Sequence, residues 1–193
     1  MAGRGYTIFD TGIGRCGIAW GDSGIVGVQL PEAREIETRG RLLRQCPDAR
    51  ELRPPLHAEI AIEGIIALLR GESCGLSDVP LDMSGLPGFN QRVYALTRAI
   101  PRGETRIYGN IAKQLGASGA VHSVAQVLAR NPFVIIVPCH RVLDAGGYAD
   151  KMSPNGGTIS KRRLLSIEGA NCGISSKTLF DVLLPVAPPR AQG

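Results

Sequence analysis

No two of the five cysteines, at positions 16, 46, 74, 139 and 172, lie close together, and their number is odd. A disulfide framework or a zinc knuckle needs thiols paired at short spacing, so neither is indicated. No apolar run approaches the roughly 20 residues of a membrane-spanning helix. The opening Met-Ala-Gly-Arg-Gly-Tyr carries no apolar signal segment. A reducing cytoplasm is the expected compartment, one that keeps thiols free. Internal repeats and low-complexity tracts are also missing, which excludes a stacked-repeat architecture.

What is present is an ordinary globular balance, 44% hydrophobic and 20% charged over 193 residues, enough for one domain or two small ones. The formal net charge is +5, carried mostly by arginine, which favours a polyanionic partner without proving one.

Taken in order, residues 6–30 read as three short strands. Gly21-Asp22-Ser23-Gly24 makes a hairpin turn between the second and third, so an antiparallel meander is expected. Residues 32–45 interleave Arg34, Arg39, Arg41 and Arg44 with Glu32, Glu35 and Glu37, the pattern of a solvated helix face. Residues 57–69 place Ile62, Ile65, Ile66 and Leu69 at helical spacing. The Gly-, Ser- and Pro-rich segment 71–88 reads as a connector. Helix 90–100 follows, with Val93, Leu96 and Ile100 as its buried stripe. Thr105 and Ser118 are placed to cap two further helices, the first ending before Gly116. Two helices joined by a short turn fit either a helix-turn-helix or a plain helical hairpin.

The chemistry-bearing stretch lies at 131–141. Val134 to Val137 is a β-branched run stopped by Pro138 and predicts a buried strand. Cys139 and His140 follow at once. The thiolate is the reactive form of cysteine, whose free pKa is about 8.5. A nearby base or cation activates it. Neighbours in extended chain point to opposite faces, so His140 needs a turn or a bridging water to serve Cys139. The alternative is a buried structural cysteine beside a hydrogen-bonded histidine.

Pro138-Cys139-His140-Arg141-Val142, preceded by Asn131-Pro132 and the apolar run, resembles the active-site signature of the O6-alkylguanine-DNA alkyltransferases, the methylated-DNA–protein-cysteine methyltransferases. Phe89-Asn90-Gln91-Arg92-Val93-Tyr94, the stretch Ile100 to Gly109, and Lys161 to Gly169 resemble other parts of the same family, in its order. The resemblance covers roughly residues 81–169. It implies an α+β chain in two parts. Residues 1–80 would form a small N-terminal α/β domain with an antiparallel, ribonuclease H-like sheet. Residues 81–172 would form a mainly helical domain with a winged helix-turn-helix, and 173–193 a tail.

The implied activity is DNA repair by direct reversal. The alkyl group of an O6-alkylguanine, everted from duplex DNA because its reacting atom is unreachable inside the stack, moves irreversibly to the cysteine, once per molecule. The implied partner is double-stranded DNA carrying that lesion, met by a monomer. No cofactor and no metal are implied; the zinc site of some family members has no matching Cys/His set here.

By the same resemblance Cys139 is the nucleophile and His140 its base, acting through a water. Glu168 orients His140, and Asn131 links the active-site turn to the helix-turn-helix. Arg141 holds the loop and is grouped with the DNA-facing residues. Tyr108 attends the target base, its alternative being a core aromatic at a helix start. The recognition helix departs from the family. His122-Ser123-Val124-Ala125 stands where the family has Arg-Ala-Val-Gly, and Gln126 follows in place of a small residue. His122, Ser123 and Gln126 would face DNA. Ser153 and Asn155, in an altered loop, are candidates to serve the base oxygen. Tyr94 stands where the family has tryptophan. Two other readings remain: a DNA-lesion-binding, alkyltransferase-like sensor, and alkyl transfer from a non-standard substrate with weakened DNA handling.

Overall fold

The computed structural model describes residues 4–147 and 161–170. The chain opens with β1 (Gly5–Thr11), β2 (Gly14–Gly21) and β3 (Gly24–Gln29), an antiparallel meander as expected. The second hairpin depends on Gly24. Its φ is +136°, and a Cβ there would sit 2.4 Å from the Pro80 carbonyl oxygen. A two-residue strand that local pattern did not signal, β4 (Arg50–Glu51), pairs parallel to β1, giving the order β3-β2-β1-β4.

Alternation along β2 assigns its two faces to two helices. Gly17 and Ala19 face α1 (Glu35–Gln45), where Leu42 and Cys46 pack with Tyr6. Cys16, Ile18 and Trp20 face the main core, to which α2 (Leu56–Leu69) contributes Ala58, Ala61, Ile65 and Leu68. The α2 stripe is shifted from the expected one, for Ile62 and Ile66 are only half-buried. Alanines take the central positions because they let the helix approach the sheet closely.

The free edge of β3 is where the second half attaches. Ile25 N–H donates to the Pro80 carbonyl at 2.9 Å, and Asp82 N–H donates back to Ile25 at 2.8 Å. Further along, Val28 N–H donates to the Pro132 carbonyl at 2.8 Å. The sheet edge is thus covered by the connector and by the stretch just before the thiol, which disposes of the exposed donors an edge strand otherwise presents.

The second half comprises α3 (Gly88–Arg98), β5 (Arg106–Ile107), α4 (Tyr108–Gln114), α5 (Val121–Ala129), β6 (Val142–Leu143) and α6 (Lys161–Glu168). β5 and β6 pair in parallel. One hydrophobic core runs without a break from Ile18 and Val28 through Val93, Ile111 and Val124 to Leu164. The whole is a mixed α+β chain with a small antiparallel sheet. Among the described residues no helix is long and apolar enough to cross a membrane.

Three local expectations are corrected. Thr105 does not cap α4; β5 intervenes and Ile107 takes the cap position with no side-chain bond. Ser118 does not cap α5; it begins a single 3-10 turn, Ser118–Ala120, that leads into the helix. Val134 to Val137 is not a strand. It is a buried tight turn in which Val137 N–H donates to Phe133 and Ile135 takes φ 76°. A β-branched residue in that left-handed region is strained, so something outside the run must hold it there.

Candidate functional site

Asn131 holds the turn. Fully buried at the end of α5, it accepts from Phe133 N–H at 2.9 Å through Oδ1 and donates to the Val137 carbonyl at 2.9 Å through Nδ2. One side chain thereby satisfies both ends of the 133–137 turn. The chain leaving the turn winds into a 3-10 turn, Cys139–Arg141, begun by Pro138. That turn, and not a strand end, presents the thiol and the imidazole.

Cys139 is buried, with 1% of its surface exposed. Burial pushes its thiol up, while hydrogen bonding from Asn131 and the Lys161 ammonium pull the other way. A thiol so placed stays protonated until a base takes its proton. His140, wholly buried, is the neighbouring base. Its Nε2 lies 2.8 Å from Glu168 Oε1, and its Nδ1 has no hydrogen-bond partner among the described residues.

The tautomer follows from the carboxylate. Burial is the largest single influence on Glu168 and would raise it, but the hydrogen bonds and charges of His140 and Arg141 together bring it down to about 2. Ionised, it can only accept, so Nε2 carries the hydrogen and the Nδ1 lone pair is left bare. Burial also holds the imidazole below its ordinary value, outweighing the carboxylate. His140 is therefore neutral near pH 7 and able to take a proton at Nδ1.

Arg141 is turned inward and away from any DNA-facing surface, contrary to its grouping above. Its Nε and NH2 donate to the two oxygens of Glu168 at 2.9 and 2.8 Å, and its NH1 donates to the Ile100 carbonyl. This fork ties the 3-10 turn to α6 and to the end of α3.

Lys161 belongs to this cluster, and sequence reasoning passed over it. It is 4% exposed; Nζ donates to Tyr108 Oη at 2.9 Å and to the Val142 carbonyl at 3.2 Å. The available signal was periodicity. Lys161, Leu164, Leu165 and Glu168 share the buried face of α6, so both charged ends of an apolar stripe point inward. Tyr108, at the start of α4, is 9% exposed and sits with its hydroxyl on that ammonium.

The remaining candidates lie elsewhere. His122, Ser123 and Gln126 are exposed on one face of α5, opposite buried Val124 and Leu128, and Gln126 Nε2 contacts His122 Nε2 at 2.9 Å. They do not join the thiol cluster. Ser153 and Asn155 fall outside the described residues. No group of three or more metal-ligating side chains occurs among the described residues.

The chain is similar to several known proteins. A family model described as the 6-O-methylguanine DNA methyltransferase DNA-binding domain matches residues 88–170. The methylated-DNA–protein-cysteine methyltransferase of Mycobacterium bovis is 43% identical over 122 residues, 63% of this chain and 70% of that one. The crystal structure of Mycobacterium tuberculosis O6-methylguanine methyltransferase superposes with TM-score 0.66 at 33% identity, covering 86% of this chain and 93% of that one. The M. tuberculosis protein in complex with DNA gives TM-score 0.62 at 31% identity, over 85% and 92% of the two chains.

Proposed function

The chain belongs to the methylated-DNA–protein-cysteine methyltransferase family, whose activity is direct-reversal repair by alkyl transfer from DNA to a cysteine, and from that premise we propose that the acceptor is Cys139 and the donor an O6-alkylguanine in duplex DNA. The observation that carries the assignment is the buried His140–Glu168 pair, joined through Nε2 at 2.8 Å, next in the chain to the buried Cys139 thiol.

The step is a single in-line displacement. The Cys139 thiol gives its proton to His140 Nδ1 across one bridging water, and Glu168 steadies the imidazolium so formed. The sulfur attacks the alkyl carbon; the S–C bond forms as the C–O6 bond breaks, and the electron pair leaves on the guanine. Tyr108 Oη, with the Lys161 ammonium behind it at 2.9 Å, donates to the departing base and stabilises the charge it gathers. The same ammonium favours the thiolate. A thioether results, so each molecule reacts once. All these groups come from one chain, and a monomer suffices.

DNA would be met by α5, with α4 and α5 as the helix-turn-helix and β5–β6 as its wing. The exposed face bearing His122, Ser123 and Gln126 supports that placement, as does the net positive charge. The sheet order β3-β2-β1-β4, with β4 parallel to β1, supports a ribonuclease H-like first part over residues 1–80. That part braces the reactive turn through the Val28–Pro132 bond.

The test is a mass measurement. After incubation with duplex DNA containing O6-methylguanine, the peptide carrying Cys139 gains one methyl group, and Cys139→Ser gains none. A folded protein whose Cys139 peptide stays unmodified would overturn the assignment.

A further inference from the structure

Tyr94 has no part in the proposed displacement, yet it touches both segments the reaction must keep in register. It is 1% exposed, on α3. Its hydroxyl donates to the Val127 carbonyl at 3.2 Å, in the last turn of α5. Its ring meets Phe133 edge to face, with centroids 5.9 Å apart and planes at 87°. Between these two contacts lies Asn131, whose side chain holds the turn before Cys139. One aromatic side chain therefore grips the chain on both sides of the residue that joins α5 to the reactive turn.

A core aromatic that only fills space needs no hydroxyl, and a buried hydroxyl is costly unless bonded. Here the bond goes to a carbonyl that already accepts from Arg130 N–H at 3.2 Å. The helix end is satisfied without the phenol, so capping does not explain it. What the bond adds is a fixed point. The exposed face of α5 bearing His122 and Gln126 cannot slide along its axis without breaking the Tyr94 bond or separating the two rings. The phenol also lies within electrostatic range of the Cys139 sulfur; burial first, and then that sulfur, push its pKa to about 12. The hydroxyl keeps its proton and remains a donor throughout the reaction.

We infer that Tyr94 is a positioning residue, setting the distance between the DNA-facing side of α5 and the Cys139 sulfur, so that a base everted against the helix arrives in line with the thiol. The inference rests on the proposed function and names how that site is held in register. A displacement of about 1 Å from in-line geometry costs up to about a hundredfold in rate, and a single hydrogen bond at the helix end is a contact of that reach.

The experiment uses Tyr94→Phe, which keeps the ring and removes the hydroxyl, in the full chain. Transfer to Cys139 is followed with two donors: O6-methylguanine in duplex DNA, and free O6-benzylguanine, which has no phosphate backbone to engage α5. The expected result is a fall of about tenfold or more in the first-order transfer step with the duplex, the scale of such a misplacement. The duplex Kd and the rate with the free base should be unchanged. Tyr6→Phe, which removes a tyrosine hydroxyl placed 3.4 Å from Glu51 in the sheet, should change none of these. Equal slowing with both donors, a loss confined to Kd, or an unchanged duplex rate overturns the inference while leaving the parent reading intact. Failure of the unsubstituted protein to react with either donor overturns both, and so marks the parent reading as the one at fault.

Discussion

The two halves of this molecule use charge in opposite ways. In the N-terminal half most ion pairs lie outside: Arg15 joins Asp10 and Glu35, and Arg39 joins Glu35 at 2.8 Å and Glu51 at 3.8 Å, all partly or largely exposed. The exception is Glu32, which meets Arg41 at 2.8 Å and has a buried side chain. Its interior holds few polar groups, Gln29 and Thr38 among them. In the C-terminal half Asn131, His140, Arg141, Lys161 and Glu168 are all buried. Exposed pairs contribute little, because water screens them. Buried ones cost desolvation and persist only when every partner is in place. Under the proposed function such a cluster beside a thiol serves the transfer step, and the sheet half supplies the apolar mass against which it is held.

That contrast can be broken most severely at Glu168. Glu168→Gln leaves Arg141 buried without a full counter-charge and His140 without its orienting acceptor. Stability should fall by about 3–5 kcal/mol in urea titration, the scale for a broken buried pair. Transfer at Cys139 should slow by about a hundredfold or more, the scale of lost acid–base assistance. The wild-type carboxyl also sets an acid limit. Its pKa is lowered from 4.5 to about 2, so its contribution is complete above pH 4.5 and is lost as pH falls from there to about 2. The Gln variant should lack that part of the acid transition.

A smaller effect is expected at Asn131. Asn131→Ala strands the Phe133 N–H in the interior, at a cost of about 1–3 kcal/mol, while the Val137 carbonyl keeps the Cys139 N–H at 2.8 Å. Ile135, no longer held at φ 76°, should relax. Hydrogen exchange should show the Val28 amide losing protection together with the turn, because Val28 is bonded to Pro132. Protection unchanged at Val28 would show that the sheet does not brace the site.

The smallest effect belongs to the exposed network. Arg39→Ala should change stability by no more than about 0.5 kcal/mol and leave the transfer rate alone. A large loss in either would mean the two halves differ less than their burial suggests.

Much of the site was readable in one dimension because its members are close in sequence or lie on a regular face. Cys139 and His140 are adjacent; α3 announces itself by apolar spacing; the meander is marked by Gly21 to Gly24. The misreadings share a cause. Val134 to Val137 has the composition of a strand, and its turn is imposed by Asn131, a residue outside the run. Arg141 is grouped by sequence with the DNA-facing residues, yet Glu168, 27 residues away, binds its Nε and NH2 in the interior, in keeping with the loop-holding role also expected of it.

By itself the sequence determined which groups could react: a thiol, an imidazole and a carboxylate, with helices and a small sheet to hold them. It determined the family as well, since the residue order around Pro138 to Val142 survives without coordinates. Only tertiary structure decided which nitrogen of His140 is bare, that Lys161 stands behind Tyr108, and that the β3 edge carries the reactive turn. Those are statements about groups far apart in the chain and about the water removed between them. Local propensity is silent on both, whereas burial and hydrogen-bond geometry set them directly.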